Sequence, residues 1–388
     1  MKTNWQRRPV FVAGIAISKW GYYPEVECFE YASKAIFDTL RDADIEWKDI
    51  QAVFCGSCYQ GVASGHKVIK EVGLTGVPIV NVENACSSSS SAFRLAYQEI
   101  AAEIYDVVLV LGMEKNPKGP IPSTAFLPWE LQLGFNFHPG NYALETVKYM
   151  TKTGATEEDI SLVTVKNRRN ASLNPNARLS TPVTLEEVIN SRMVATPLRL
   201  LHCCPLADGA AVAILCSENK LKSPSRGIKI AASTLTSASY KEEYVPGGIL
   251  ASVKFPATLN LVQLSAKQAY DISGYGPEDI DVVQAYDTVS PSELWDLEEL
   301  GFCAEGEAPK LLRDGVFQID GKIPVNTDGG LMGRGHPMGA TGLGQIVEIV
   351  LQLRREAGTR QVKKARVGLA HSMGAGPNSM VTILTKNS

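Results

Sequence analysis

The chain has 388 residues, 45% of them hydrophobic and 20% charged, enough to bury a substantial core spread over two or three domains. A net charge of −3 gives no basic footprint for nucleic acid, so an anionic ligand would be met locally, by helix N-termini and a few arginines. No stretch approaches the ~20 apolar residues of a membrane span.

The opening segment, MKTNWQRRPVFVAGIAIS, puts basic residues ahead of an apolar run, as a twin-arginine signal would. The run Val10–Ile17 is short, contains Gly14 and precedes no small-residue cleavage site, so it reads as a first buried β-strand. The final Lys-Asn-Ser is not a peroxisomal address, and a cytoplasmic protein is expected. Residues 31–57 read as an amphipathic helix, a turn and an apolar strand ending at Cys55-Gly-Ser-Cys58. That spacing suits a redox or zinc motif but lacks a second metal-spaced pair, and adjacent Cys203 and Cys204 would chelate one tetrahedral ion poorly. With eight cysteines in a chain without an export signal, reduced core thiols and no metal in this chain are expected.

Strand PIVNV (78–82) leads into ACSSSSSAFRLAYQEIAA, a small-residue turn followed by a helix, and DVVLVLGMEK (106–115) is a further strand. Residues 116–200 form an irregular insertion rich in Pro, Asn and aromatics that becomes helical at EEDISLVTVKNRRNASL, and such insertions are usually lids or binding loops. Lys166, Arg168 and Arg169 on that helix are candidate phosphate or partner contacts, with a solvated helix face as the plainer reading. HCCPLADGAA (202–211) is a loop that Asp208 and Gly209 hold together, before the strand AAVAILCS.

The remainder repeats this order. Residues 264–288 match 31–57, PVNTDGGLMGRGHPMGATGLGQIVEIV (324–350) matches the strand, loop and helix around Cys86, ARVGLAHSMG matches 106–115, and SMVTILTK matches AAVAILCS. The class is α/β: two duplicated halves, each around a largely buried mixed sheet. The halves are 1–225, carrying the insertion 116–200, and 226–388.

Cys86 falls near the first turn of a helix, whose unpaired N–H groups lower a cysteine pKa, and thiolate is the nucleophile. A buried cysteine in a tight turn is the bland alternative; the matching loop in the second half argues for the nucleophile. That loop carries His336 among Gly333, Gly335, Gly339 and Gly342, where backbone approaches something closely, and the histidine could hold an oxyanion or take the thiol proton. His371 lies in GLAHSMGAGPNS, with Gly374 and Gly376 beyond it. No GxGxxG follows a strand and no P-loop lysine is present, so nucleotide redox and phosphoryl transfer are not supported.

Two halves with a cysteine loop on one and a Gly-His-Pro loop on the other resemble the thiolase superfamily, over essentially the whole chain. The resemblance implies the thiolase fold in αβαβα layers, with coenzyme A as substrate. It also implies Cys86 as the nucleophile on a 3-oxoacyl-CoA and His336 as its partner. Most thiolases carry a second cysteine where His371 stands; sterol-carrier-protein-type thiolases place a histidine there. Those relatives have His-Asp-Cys-Phe where this chain has Tyr286, Asp287, Thr288 and Val289, which leaves His371 and Tyr286 as proton carriers. Arg168, Arg169, Gly339 and Gly374 are the expected coenzyme A contacts. The stretch around the Gly-His-Pro loop resembles subunits that form homodimers and pair with a small OB-fold, zinc-bearing subunit, among them the thiolase subunit that cleaves benzoylsuccinyl-CoA. A thiolase-like retro-aldolase using Tyr286, and a non-catalytic acyl-CoA or lipid scaffold, are the alternatives.

Overall fold

Residues 8–117, 127–134, 137–238, 260–375 and 377–386 are described in the computed structural model. Parts of the expected insertion (118–126 and 135–136), residues 239–259 of the second half, Arg7 of the arginine pair and Gly376 lie outside the described residues.

The first repeat runs β1 (Val10–Ile17), α1 (Cys28–Ala43), β2 (Ala52–Gly56), α2 (Ser64–Val72), β3 (Ile79–Val82), α3 (Ser88–Ala101) and β4 (Val107–Glu114). The insertion follows, with α4 (Pro128–Gln132), α5 (His138–Thr153), α6 (Glu157–Ala171), α7 (Leu185–Ile189) and a hairpin of β5 (Met193–Ala195) and β6 (Leu198–Arg199); β7 (Gly209–Ser217) then closes the repeat. The second repeat is β8 (Ile228–Ser237), α8 (Leu261–Ser273), β9 (Val282–Gln284), α9 (Ser290–Glu299), α10 (Ala308–Arg313), α11 (Gly330–Arg334), α12 (Thr341–Arg354), β10 (Val367–Gly374) and β11 (Asn378–Lys386).

The two expected half-sheets meet edge to edge and run on as one nine-stranded sheet, in the order β3-β2-β4-β7-β1-β8-β11-β10-β9. The seam is short: β1 and β8 pair antiparallel at Phe11–Lys229 and Val12–Ile228. Outward from it the halves match. β7 lies antiparallel between β1 and β4, as β11 does between β8 and β10. β2 runs parallel to β4, as β9 does to β10. Val325 bridges Val283 in parallel, at the place where β3 pairs with β2.

Period-two alternation sorts the strand residues into layers. Val108, Val110, Ala211, Ala213 and Leu215 face a central layer with Phe93 of α3 and Ile346 of α12. Leu109, Leu111, Val212 and Ile214 face the opposite way, toward Ile36 of α1 and Ile69 of α2. In the second half Val283, Leu369, Val381 and Ile383 pack against α8, α9 and Ile160 and Val163 of α6. Strands buried on both faces need the unbroken apolar runs this sequence has, and each fully buried Val, Leu or Ile contributes roughly 1.5–3 kcal/mol. Because α3 and α12 share the central layer, the loops that precede them, one with Cys86 and one with His336, open toward each other.

Candidate active site

β3 ends at Val82, and the chain turns through Asn84, Ala85 and Cys86 into α3. Ala85 sits in the left-handed region at φ +49°, a conformation that L-residues hold only under constraint. Three hydrogen bonds supply it: Asn84 N–H donates to Ser88 Oγ at 2.9 Å, Ser88 Oγ to Ala85 O at 2.6 Å, and Asn84 Nδ2 to Ser91 Oγ at 2.9 Å. Cys58 Sγ adds a bond to Ala85 O at 3.0 Å. The serine run is therefore a scaffold for the turn, with Ser87 to Ser91 all buried.

Cys86 is half-buried, and the Tyr286 hydroxyl is the polar side-chain neighbour that acts on its sulfur. Burial pushes the thiol up to about 11; the Tyr286 hydroxyl pulls the other way, and Glu114 adds to the rise. The expected lowering by a helix start is outweighed. α3 begins two residues beyond Cys86, and desolvation of the thiolate is the larger effect. At neutral pH this cysteine is a thiol that must hand its proton to a neighbour.

The neighbour is His336. Its backbone is pinned from both sides, N–H to Pro205 O at 3.0 Å and C=O from Ala207 N–H at 3.4 Å. Nδ1 lies 2.7 Å from Thr341 Oγ1, and Nε2 lies 3.4 Å from the Tyr286 hydroxyl. The two rings meet edge-on, with centroids 5.8 Å apart and planes at 79°. Burial, helped by the Arg334 charge, pulls the imidazole down to about 3, so at neutral pH it is unprotonated, with one ring nitrogen bare. Tyr286, just past β9, lies between sulfur and imidazole; burial holds its phenol protonated, well above the usual range. Cys86, Tyr286 and His336 therefore share one cluster.

His371 does not join that cluster through any of its described polar contacts. It is fully buried on β10, with Nε2 3.2 Å from Ser379 Oγ and Nδ1 3.1 Å from Asp296 Oδ2. Burial raises the Asp296 carboxyl, against the pull of His371 first and of the nearby Tyr286 backbone N–H. Among its described polar contacts, Asp296 is the one that lies toward Tyr286.

The insertion residues also depart from expectation. Lys166 is neither a phosphate contact nor on a solvated face: it is buried, 3.0 Å from Glu293 Oε1, and donates to Asn167 Oδ1 at 2.6 Å and Val325 O at 3.0 Å. Arg168 is buried, with Nε and Nη2 both donating to Thr181 O. Arg169 is exposed. Gly339 donates its N–H to Glu114 Oε2 at 3.0 Å, and a Cβ there would come within 2.6 Å of Met113 O and Ser57 Cα. A Cβ on Gly374 would overlap Asn84 O in the cysteine turn. These two glycines fit loops together.

Sequence reasoning missed several residues of the site. Glu114, buried at the end of β4, accepts N–H bonds from Cys58 (2.9 Å), Tyr59 (3.0 Å) and Gly339, tying the loop after β2 to the His336 loop. A charged residue closing an apolar strand was the available signal. Tyr142 on α5 and Cys204 are both buried beside the Thr288 side chain, in the electrostatic reach of Cys86. The sequence offers no signal for either. All eight cysteines are free. Among the described residues, no group of three or more His, Cys, Asp or Glu could hold a metal ion, and no helix is long and apolar enough to cross a membrane.

Residues 14–219 match the family model described as thiolase, N-terminal domain, and residues 252–387 that described as thiolase C-terminal domain-like. The chain is 36% identical to an acetyl-CoA acetyltransferase of Methanothermobacter thermautotrophicus, covering 95% of this chain and 96% of that one. It is also 36% identical to the benzoylsuccinyl-CoA thiolase subunit BbsB of Thauera aromatica, over 95% of each. Sterol carrier protein 2 of Bos taurus is 35% identical, matched over 97% of this chain and 72% of its own length. Among solved structures, an Ltp2-ChsH2(DUF35) aldolase chain superposes with a TM-score of 0.85 at 25% identity, covering 99% of this chain and 100% of that one. Human mitochondrial 3-ketoacyl-CoA thiolase in complex with CoA gives 0.72 at 15% identity, over 98% of each chain, which speaks for the fold.

Proposed function

This chain belongs to the thiolase family and is an acyltransferase that takes coenzyme A as substrate, and we propose that it cleaves a 3-oxoacyl-CoA through an acyl-enzyme on Cys86. The observation that carries the proposal is the cluster of the Cys86 sulfur, the Tyr286 hydroxyl and the neutral His336 imidazole. The thiol proton passes toward His336 Nε2 as sulfur attacks the 3-oxo carbon. The bond between C2 and C3 then breaks, leaving the acyl group as a thioester on Cys86 and an acyl-CoA enolate. The same proton returns to C2 of the enolate. The thiol of free coenzyme A then attacks the Cys86 thioester, the bond from the acyl carbon to the Cys86 sulfur breaks, and the coenzyme A proton passes by way of His336 to that sulfur as acyl-CoA departs. Dividing a carbon–carbon cleavage into two acyl transfers is the gain from covalent catalysis. His371 supports Tyr286 through Asp296 in this scheme, and Tyr286 is the proton carrier nearer the substrate.

The division into 1–225, with Cys86, and 226–388, with Tyr286 and His336, sets nucleophile and proton acceptor on opposite halves. Arg169, the exposed member of the arginine pair, is our remaining candidate for a coenzyme phosphate contact. We propose benzoylsuccinyl-CoA, cleaved to benzoyl-CoA and succinyl-CoA, as the substrate to try first, on the strength of the 36% identity to BbsB. A homodimer with a small OB-fold, zinc-bearing subunit is the proposed assembly. The word subunit in the name of that relative and the DUF35 component of the aldolase support it.

One observation favours a second reading. Tyr286 beside His336, together with the TM-score of 0.85 to an aldolase, suits retro-aldol cleavage of a 3-hydroxyacyl-CoA. Turnover of 3-oxoacyl-CoAs with coenzyme A, set against turnover of 3-hydroxyacyl-CoAs, separates the two in the wild type and in Cys86→Ser. Thiolysis lost in Cys86→Ser supports the acyl-enzyme; retro-aldol activity that survives the substitution selects the aldolase. Absence of both activities leaves the scaffold.

A further inference from the structure

The hydrogens around His336 can be counted, and the count has a direction. Thr341 Oγ1 carries a single hydrogen and lies 3.0 Å from Pro337 O and 2.7 Å from His336 Nδ1. Two arrangements satisfy the imidazole. In one, Thr341 donates to Pro337 O and accepts from Nδ1–H; bare Nε2 then accepts from the Tyr286 hydroxyl, whose oxygen accepts the Cys86 S–H. Every hydrogen in the row finds a partner. In the other, Thr341 donates to Nδ1, Nε2–H donates to Tyr286, and Tyr286 donates to the sulfur. That arrangement gives up the Thr341–Pro337 bond and leaves the Cys86 S–H without an acceptor in the row.

We propose that Thr341 is a positioning residue that fixes His336 as the Nδ1–H tautomer, so that Tyr286 relays the proton from Cys86 to His336 Nε2. The inference rests on the reading of Cys86 as nucleophile, and adds the route by which its proton leaves. In the relay, the Cys86 S–H bond breaks as its proton joins Tyr286 O, and the Tyr286 O–H proton moves to Nε2. A thiolate and an imidazolium result, with Tyr286 restored, so charge and protons balance. The fold makes the device available because Thr341 opens α12 five residues after His336 and sends its hydroxyl back to the carbonyl of Pro337, next to that histidine. The tautomer of a histidine is set by what its other nitrogen meets.

The test is the tautomer itself. Protein labelled with 15N at histidine gives long-range proton–nitrogen correlations for its five histidines, and the His336→Gln spectrum identifies the His336 signals. The wild type is expected to show protonated Nδ1 and an acceptor shift at Nε2 near pH 7. A wild-type Nε2–H pattern overturns the proposal, whatever the enzyme turns over and even where a variant fails to fold. Thr341→Val is expected to shift the population toward Nε2–H and to slow alkylation of Cys86 by iodoacetamide about tenfold or more, a loss suited to a misdirected base. Thr341→Ser is expected to keep the wild-type spectrum and to alkylate within about twofold of the wild type. A valine variant with an unchanged spectrum and unchanged alkylation also overturns it. Both readouts are independent of thiolysis, so failure of the thiolase reading would show separately as absent turnover.

Discussion

Lys166→Met is the substitution whose cost follows most directly from the packing. The Lys166 ammonium uses its donors on Asn167 Oδ1 (2.6 Å), Val325 O (3.0 Å) and Glu293, while Glu293 Oε2 also accepts from Asn167 Nδ2 (2.8 Å) and Asn326 Nδ2 (2.7 Å). Methionine fills similar volume but leaves the Glu293 carboxylate buried without its cation, which costs about 3–5 kcal/mol. Over 388 residues at about 2.1 cal/mol/K each, the unfolding entropy is near 0.8 kcal/mol/K, so Tm falls by about 4–6 °C. Differential scanning calorimetry measures it. The double variant Lys166→Met/Glu293→Leu removes both charges, and it should melt above Lys166→Met alone. A single-variant shift under about 1 °C, or a double variant at the sum of the two single losses, would refute the argument that an orphaned charge sets the cost.

Three further outcomes follow from the site. Gly339→Ala places a Cβ 2.6 Å from Met113 O and Ser57 Cα, neither a flexible side-chain tip, so the His336 loop must move by several tenths of an ångström; kcat should fall about 10–100-fold with a smaller change in melting, read by steady-state turnover. With the thiol raised to about 11 and the imidazole near 3, Cys86 alkylation should climb through pH 9–10 without a step at the ordinary histidine value; a midpoint near 6.5 would contradict the assignment. His336 and His202, at about 3 and about 4, bind protons in the unfolded chain before they do in the folded one. Stability therefore rises with pH through about 3–6.5 and drains away on acidification, by up to a few kcal/mol per histidine. His202→Gln should flatten that acid limb in pH-dependent denaturant titrations, and an unchanged slope would reject it.

Much of the fold was legible because duplication doubles every signal. The run VFVAGIAI is the strand Val10–Ile17 residue for residue, and the pairing of 78–82 with 324–326 reappears as matching parallel neighbours of β2 and β9. Cys86 and His336 could be brought together for the same reason, since each lies in the loop that leads into the central-layer helix of its repeat. The seam between β1 and β8 was hidden, because two edge strands carry no sequence mark of each other. His371 was expected as a proton carrier; strand parity puts it on the side of Leu369 and Met373, where its described partners are Asp296 of α9 and Ser379, and the sequence carries no mark of either contact. Lys166 misled for a different reason. A lysine on a helix reads as solvated, and the partner that buries it, Glu293, is 127 residues away.

The account turns on where the acyl group sits between the two half-reactions, and intact-mass spectrometry of protein mixed with a 3-oxoacyl-CoA observes it. The expected spectrum gains the mass of one acyl group, maps by peptide digestion to Cys86, loses it on addition of coenzyme A, and shows no gain in Cys86→Ala. An adduct on Cys58 or Cys204 instead, or full turnover by the alanine variant, would contradict it.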